Sequence, residues 1–334
     1  MGARVDDHRV MVDSFGRVVR DLRVSVTDRC NFRCLYCMPA EGLPWLPASD
    51  VLSHEELVRA LRVAVELGVR TIRVTGGEPT LRRDLVDVVG ALSGLGVELS
   101  LTTNGYLMDR LAAPLAAAGL HRANISVDSL RRERFKDMTR RDGLDRVLAG
   151  IDATLAAGLH PVKINTVVVR GFNDDELEPM AAWARELGVE LRFIEFMPLD
   201  APGDWTRDQV VPAGEILARL DQAFGLVAPS GPRGSAPAER YRYADGHGAV
   251  GVIASVTRAF CAQCDRIRLT ADGQVRTCLF ANTEYDLRAA LRAGGDDEAV
   301  ARLYLDAVAR KQWGHRINEP DFVQPARGMS QIGG

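Results

Sequence analysis

Leu22-Arg23-Val24-Ser25-Val26-Thr27-Asp28-Arg29-Cys30-Asn31-Phe32-Arg33-Cys34-Leu35-Tyr36-Cys37 carries two messages in one stretch. Its opening residues alternate, with Leu22, Val24 and Val26 on one face and Arg23, Ser25 and Thr27 on the other, the period of a β-strand. Its closing residues hold three thiols. Three thiolates this close can bind three irons of a cubane iron–sulfur cluster and leave the fourth iron without a protein ligand. An open iron can bind a small molecule and pass it an electron. Redox chemistry on a bound substrate is therefore expected at the end of the first strand.

Working outward, five more strand-like runs follow, at Thr71–Thr75, Val97–Thr103, Ala123–Asp128, Pro161–Val169 and Glu190–Met197. Helical patterns alternate with them near Ser53–Leu67, Arg83–Ser93, Asp109–Ala118, Leu144–Ala157, Asp174–Leu187 and Ala213–Phe224, the first opened by a Ser53/Glu56 capping box. Six β-α units in series predict an α/β fold with a parallel sheet and helices outside. That is two units short of a full barrel, so an open, partial six-stranded β/α barrel is expected.

Buried parallel strands usually read as continuous apolar runs. These alternate instead. Arg73 lies between Ile72 and Val74; Ser100, Thr102 and Asn104 share a face, as do Asn124, Ser126 and Asp128, and Lys163 and Asn165. With helices covering the outside, the polar faces should line the lumen, which is unfavourable unless ligand or water fills it. Arg23, Arg73 and Lys163 then point inward, and Lys163 is one of only three lysines among 42 basic residues. Each could pair with a lumen acid such as Glu195 or Asp128. Three on converging faces favour a polyanionic ligand, for which Arg and Lys are the usual partners.

The second strand ends in Gly76-Gly77-Glu78-Pro79. Glycines permit close backbone approach, and the carbonyls and the Glu78 carboxylate could accept from an ammonium group. After about Leu226 the character changes. A Pro/Gly/Ser-rich connector, 229–237, precedes β-rich pieces at Ala249–Val256, Arg266–Thr270 and Gln274–Leu279, then helices from Leu287 to Gln312. The expected division is a barrel over residues 1–225 and a smaller C-terminal α+β region over 226–334 that closes the open side. This region holds the second thiol group, Cys261, Cys264 and Cys278. Disulfides suit small secreted chains, and structural zinc usually wants four ligands where each group offers three with no histidine close by in sequence. Two clusters, each with an open iron, fit better.

Across 334 residues, 46% hydrophobic and 26% charged content are those of a globular protein, and a formal net charge of −3 gives no global field for nucleic acid. No apolar run approaches a membrane span, and the N-terminus, Met1 to Asp21, is charged throughout. A cytoplasmic enzyme without nucleic-acid or membrane partners is expected.

The cysteine spacing with an aromatic residue before the last cysteine resembles the signature of the radical S-adenosylmethionine superfamily. Within it, Leu22–Cys30, Thr75-Gly76-Gly77-Glu78-Pro79, Thr102-Thr103-Asn104-Gly105, Asn124–Asp128, Phe193–Met197, Arg266-Ile267-Arg268 and the terminal Gly333-Gly334 look like the GTP 3′,8-cyclases that open molybdenum-cofactor biosynthesis. The resemblance implies that Cys30, Cys34 and Cys37 hold one [4Fe–4S] cluster and Cys261, Cys264 and Cys278 a second. It implies S-adenosylmethionine near Tyr36, Gly77, Ser126 and Met197, and GTP on Arg23, Arg73, Thr102, Lys163, Arg266 and Arg268. It also assigns Arg266, Arg268 and the Gly333-Gly334 tail to the catalytic centre. An external electron donor, a downstream cyclic pyranopterin monophosphate synthase and a homodimer are the partners it suggests. Two rivals remain open: a radical enzyme that modifies peptides with an auxiliary cluster, and a non-catalytic iron–sulfur electron carrier.

Overall fold

The computed structural model describes residues 9–199, 203–229 and 233–333. Among these, the strands are β1 (Asp21–Ser25), β2 (Thr71–Thr75), β3 (Glu98–Thr103), β4 (Arg122–Ser126), β5 (Lys163–Val168), β6 (Glu190–Glu195), β7 (Leu226–Val227), β8 (Glu239–Tyr243), β9 (Ala249–Ile253), β10 (Arg266–Leu269), β11 (Gln274–Arg276) and β12 (Tyr285–Asp286). The helices are α1 (His54–Glu66), α2 (Leu85–Ser93), α3 (Met108–Ala117), α4 (Arg132–Thr139), α5 (Leu144–Ala156), α6 (Leu177–Glu186), α7 (Ala213–Phe224), α8 (Leu287–Arg292), α9 (Asp297–Ala309) and α10 (Met329–Ile332). All the strands join one sheet in the order β12-β11-β10-β1-β2-β3-β4-β5-β6-β9-β8-β7.

The six expected strands run parallel in sequence order, as the β-α alternation predicts. The C-terminal residues do more than the sequence suggested. β10 adds parallel to β1 at one edge and β9 adds parallel to β6 at the other. The antiparallel pieces β11–β12 and β8–β7 extend those edges further, and among the described residues the two ends of the sheet stay unpaired.

Two apolar clusters lock the helices to the outer face. One gathers Leu22, Val24, Ile72, Val74, Leu99 and Leu101 with Leu57, Leu61, Val88, Leu92 and Leu115 of α1–α3. The other gathers Ile125, Ile164, Leu191 and Phe193 with Val147, Ile151, Met180, Ile216 and Leu220 of α5–α7. Each fully buried aliphatic side chain contributes about 1.5–3 kcal/mol relative to exposure. The capping box expected at α1 forms, with Ser53 Oγ accepting from Glu56 N and Glu56 accepting from Ser53 N. Helix α4 was not expected. It is charged, and only Phe135, Met138 and Thr139 are buried, too few for a clear helical stripe.

Register fixes what faces the lumen. Arg23 lies opposite Arg268 on one side and Arg73 on the other. Asn124 lies opposite Thr102 and Lys163, and Arg192 opposite Asn165.

Candidate functional site

The loop after β1 presents Cys30, Cys34 and Cys37. It is braced from beneath by the turn after β2, where Gly77 N donates to Thr27 O at 2.8 Å and Glu78 N to Arg29 O at 2.7 Å. A Cβ on Gly76 would lie 2.4 Å from Thr27 O, and one on Gly77 would lie 2.4 Å from Arg29 O and 2.5 Å from Asp28 O. The close approach that these glycines permit is thus to the chain's own cysteine loop. Glu78 is likewise committed within the fold: its carboxylate accepts from Thr80 N at 3.0 Å, Thr80 Oγ1 at 2.5 Å, Thr103 Oγ1 at 2.6 Å and Asn104 N at 2.7 Å. From the far side, the end of α4 holds the loop through Arg33 N to Thr139 O and Leu35 N to Met138 O, both 2.9 Å. Phe32 packs edge-on against Tyr106 and Phe135, and the Tyr36 hydroxyl donates to Asp128 at 2.7 Å.

The second triad stands across the lumen, beside β10. Cys264 lies two residues before it, Cys261 in the turn before that, and Cys278 follows β11. Arg17 clamps this turn, donating to Cys261 O and Trp313 O at 2.7 Å and to Gln312 O at 2.8 Å, while Asp13 holds its Nε at 2.5 Å. Lys311 donates to Arg266 O at 2.8 Å and to Thr277 O, with Cys264 Sγ 3.9 Å away.

All six thiols are free. Among the described residues no three His, Cys, Asp or Glu converge as one metal ion would require. A cubane takes its thiolates on separate iron corners, so three thiols can hold it without converging on one point. Burial pushes Cys30 up to about 12 and raises Cys34 and Cys37 as well, so metal binding here displaces protons. Burial also acts against the Cys264 thiolate, yet Lys311 and Arg266 hold this thiol below its ordinary value.

One cavity touches both triads. Tyr36, Gly77, Ser126 and Met197 line it near the first, and Arg23, Arg73, Thr102, Arg266 and Arg268 line its wall. Lys163 is buried but is not among the lining residues; burial and Arg192 push its ammonium down to about 8, with Glu190 opposing. The lumen acids do not pair with these cations. Asp128 accepts from Val167 N and Tyr36, and Glu195 from Ala213 N, Val256 N, Thr257 N and Thr257 Oγ1. Among the described residues Arg23, Arg73, Lys163 and Arg268 form no ion pair, and Arg23 Nε and Asn165 Oδ1 are buried without a partner. Burial lowers Arg23 and Arg268, and it brings Arg73 down to about 9, with Arg23 pushing the same way. A cation row of this kind fits a polyanion.

The C-terminal tail enters the same lumen. Gly333 is buried at φ +79°, its carbonyl accepts from Arg268 Nη1, and a Cβ there would lie 2.6 Å from both Ser25 Oγ and Thr75 Cγ2. Gly334 lies outside the described residues, as do residues 1–8 and part of the 229–237 connector.

Several site residues escaped the sequence reading. Arg192 lines the cavity and is held by Glu190 at 2.7 Å; its place two residues from Glu190 on β6 was the available signal. His315 comes beside the second triad despite being distant in sequence. Its backbone N–H donates to Cys261, and its Nδ1 accepts from Ile317 N at 3.2 Å. Lys311 and Arg17 act through backbone carbonyls, which no motif announces.

A family profile for the Radical SAM superfamily matches residues 24–184, and one for Molybdenum Cofactor Synthesis C matches 189–317. The chain is 54% identical over 329 residues to the GTP 3′,8-cyclase of Streptomyces coelicolor, covering 97% of this chain and 96% of that one. It is 51% identical over 341 residues to the enzyme of the same name from Corynebacterium glutamicum, covering 98% and 90%. Its fold is similar to that of Streptococcus suis SuiB bound to S-adenosylmethionine, with a TM-score of 0.60 at 14% identity over 86% of this chain and 68% of that one. Among the described residues no helix is long and apolar enough to cross a membrane.

Proposed function

The chain belongs to the GTP 3′,8-cyclase family of the radical S-adenosylmethionine superfamily, and on that premise we propose that it cyclises GTP in the first step of molybdenum-cofactor synthesis. The observation that carries this reading is the single cavity that joins two cysteine triads across a row of cations without carboxylate partners. Cys30, Cys34 and Cys37 would hold one [4Fe–4S] cluster, and Cys261, Cys264 and Cys278 a second. When bound, a reduced first cluster would cleave S-adenosylmethionine and supply the radical chemistry that joining C3′ to C8 of GTP requires.

The chain's own residues bind, orient and exclude water. Tyr36, Gly77, Ser126 and Met197 bound the S-adenosylmethionine side. Arg23, Arg73 and Thr102 on the cavity wall would take the triphosphate through charge-assisted hydrogen bonds, and Lys163, buried behind that lining opposite Asn124, would add its charge and reach the ligand as the site fills. Arg266 and Arg268, two apart on β10 and lining the cavity, would contact GTP beside the second triad. Gly333 brings its carbonyl to Arg268 where an added Cβ would meet Ser25 and Thr75, and the reading gives the tail's last glycine the same role. The reading includes a barrel over 1–225 closed by 226–334, an external electron donor, a downstream cyclic pyranopterin monophosphate synthase, a homodimer and a cytoplasmic setting.

The test is anaerobic: reconstitute with iron and sulfide, reduce, and add S-adenosylmethionine with C3′-deuterated GTP. Deuterium in the 5′-deoxyadenosine product is expected. Unlabelled 5′-deoxyadenosine would move the radical to another substrate, and none from cluster-loaded protein would favour an electron carrier.

A further inference from the structure

We propose that Lys311 is a positioning residue of the second cysteine triad, its ammonium serving as the buried counter-charge that sets the reduction potential of the cluster held there. The inference rests on the two-cluster reading above.

Lys311 follows α9, and only 3% of it is exposed. Its Nζ donates to Arg266 O at 2.8 Å and to Thr277 O, the former two residues beyond Cys264 and the latter just before Cys278. One ammonium thus ties both cysteine-bearing segments, and it lies 3.9 Å from Cys264 Sγ. Among the described residues no carboxylate pairs with it. The other cations nearby are engaged: Arg17 with Asp13 and three carbonyls, Arg266 with Ser235 O. A buried ammonium without a counter-ion is strongly unfavourable. Thiolates supply that counter-ion, and a fixed cation beside a cluster stabilises its reduced, more negative form. Lys311 does not line the cavity, so this effect acts through the triad and not through contact with substrate.

The test compares Lys311→Gln, which keeps a donor and loses the charge, with Lys311→Arg, which keeps the charge. Iron content and electron paramagnetic resonance establish how many clusters each reconstituted protein holds, and the signal of the first cluster with S-adenosylmethionine reports an intact fold. Potentiometry then reads the second cluster. Lys311→Gln is expected to disfavour its reduced form at least tenfold, a downward shift of about 59 mV for one electron, while Lys311→Arg stays near the parent. Loss of only the second cluster in Lys311→Gln, with retention in Lys311→Arg, also supports the charge role. Equal midpoints in parent and Lys311→Gln, or loss of the cluster in both variants, overturns it. A parent with one cluster overturns the two-cluster reading itself.

Discussion

Replacing Arg73 by Met should stabilise the ligand-free protein and weaken GTP binding at once. Arg73 stands in register with Arg23, which in turn stands in register with Arg268. Neighbouring strands are about 4.8 Å apart. Two guanidinium groups about 5.5 Å apart repel by about 3 kcal/mol at an effective dielectric constant of about 20. The lowering of the Arg73 guanidinium to about 9 points the same way, with burial the larger cause and Arg23 the next. Relaxation and water entry reduce the repulsion, so a net gain of about 2 kcal/mol is expected, a rise in Tm of about 3 °C for a chain of this size. In the complex the same guanidinium meets phosphate. Truncating a buried charge-pair partner costs about 2–5 kcal/mol, so affinity should fall about 30-fold or more. Thermal melts of the anaerobic, cluster-loaded protein, with and without GTP or inorganic triphosphate, read both effects. A ligand-free Tm below that of the parent would refute the repulsion argument, and an unchanged Kd would remove Arg73 from the binding site.

GTP affinity should decline above about pH 8, where ligand-free Lys163 loses its proton. Because its folded value lies below the ordinary 10.5, the ligand-free protein binds fewer protons than the unfolded chain between about 8 and 10.5, and its stability rises with pH across that window. Calorimetry at pH 9 in two buffers of different ionisation enthalpy should show net proton uptake on GTP binding, and equal heats would count against Lys163 as a phosphate ligand. Gly333→Ala should cut turnover at least tenfold with GTP binding preserved, because the added Cβ meets Ser25 and Thr75 at 2.6 Å and drives the tail from Arg268; parental turnover would return the tail to a passive terminus. Gly77→Ala should empty the first triad, since its Cβ meets Arg29 O at 2.4 Å. Roughly half the bound iron should be lost if each triad holds one cubane, and an iron count matching the parent would show that the loop can yield.

The repeating period of two, interleaved with helical stripes, made the six-strand frame legible; β2 and α7 have the bounds read from the pattern, Thr71–Thr75 and Ala213–Phe224. The lumen was legible for the same reason, since Arg23 and Arg73 break an otherwise apolar alternation. What escaped depends on contacts between distant residues. Nothing local in Arg266–Leu269 says that it pairs with Asp21–Val24, yet that pairing puts Arg268 beside Arg23. Nor does the sequence show that Glu78 is consumed by Thr80, Thr103 and Asn104, which removes it from the ligand-binding groups suggested by its motif.

The distribution of compensation along the cation row argues for where a triphosphate is held. At one end, Arg268 donates to the tail carbonyl of Gly333, and Arg266 pairs with Asp265 at 3.7 Å and donates to Ser235 O. At the other, Arg192 is tied to Glu190. Between them, Arg73 has only a 3.4 Å contact to Ser100, and Arg23 Nε has none. The lumen acids that could have neutralised this middle are turned to other work: Asp128 fixes Tyr36 beside the first triad, and Glu195 gathers Ala213, Val256 and Thr257 where the sheet edge meets α7. Like charges in register destabilise a sheet. A fold that satisfies the flanks and leaves the centre exposed to that penalty therefore binds best a ligand whose negative charge is dense and central. The positive charge concentrated between the two cysteine triads is a property of strand register, and the tail, the cysteine loops and Lys311 are arranged around it.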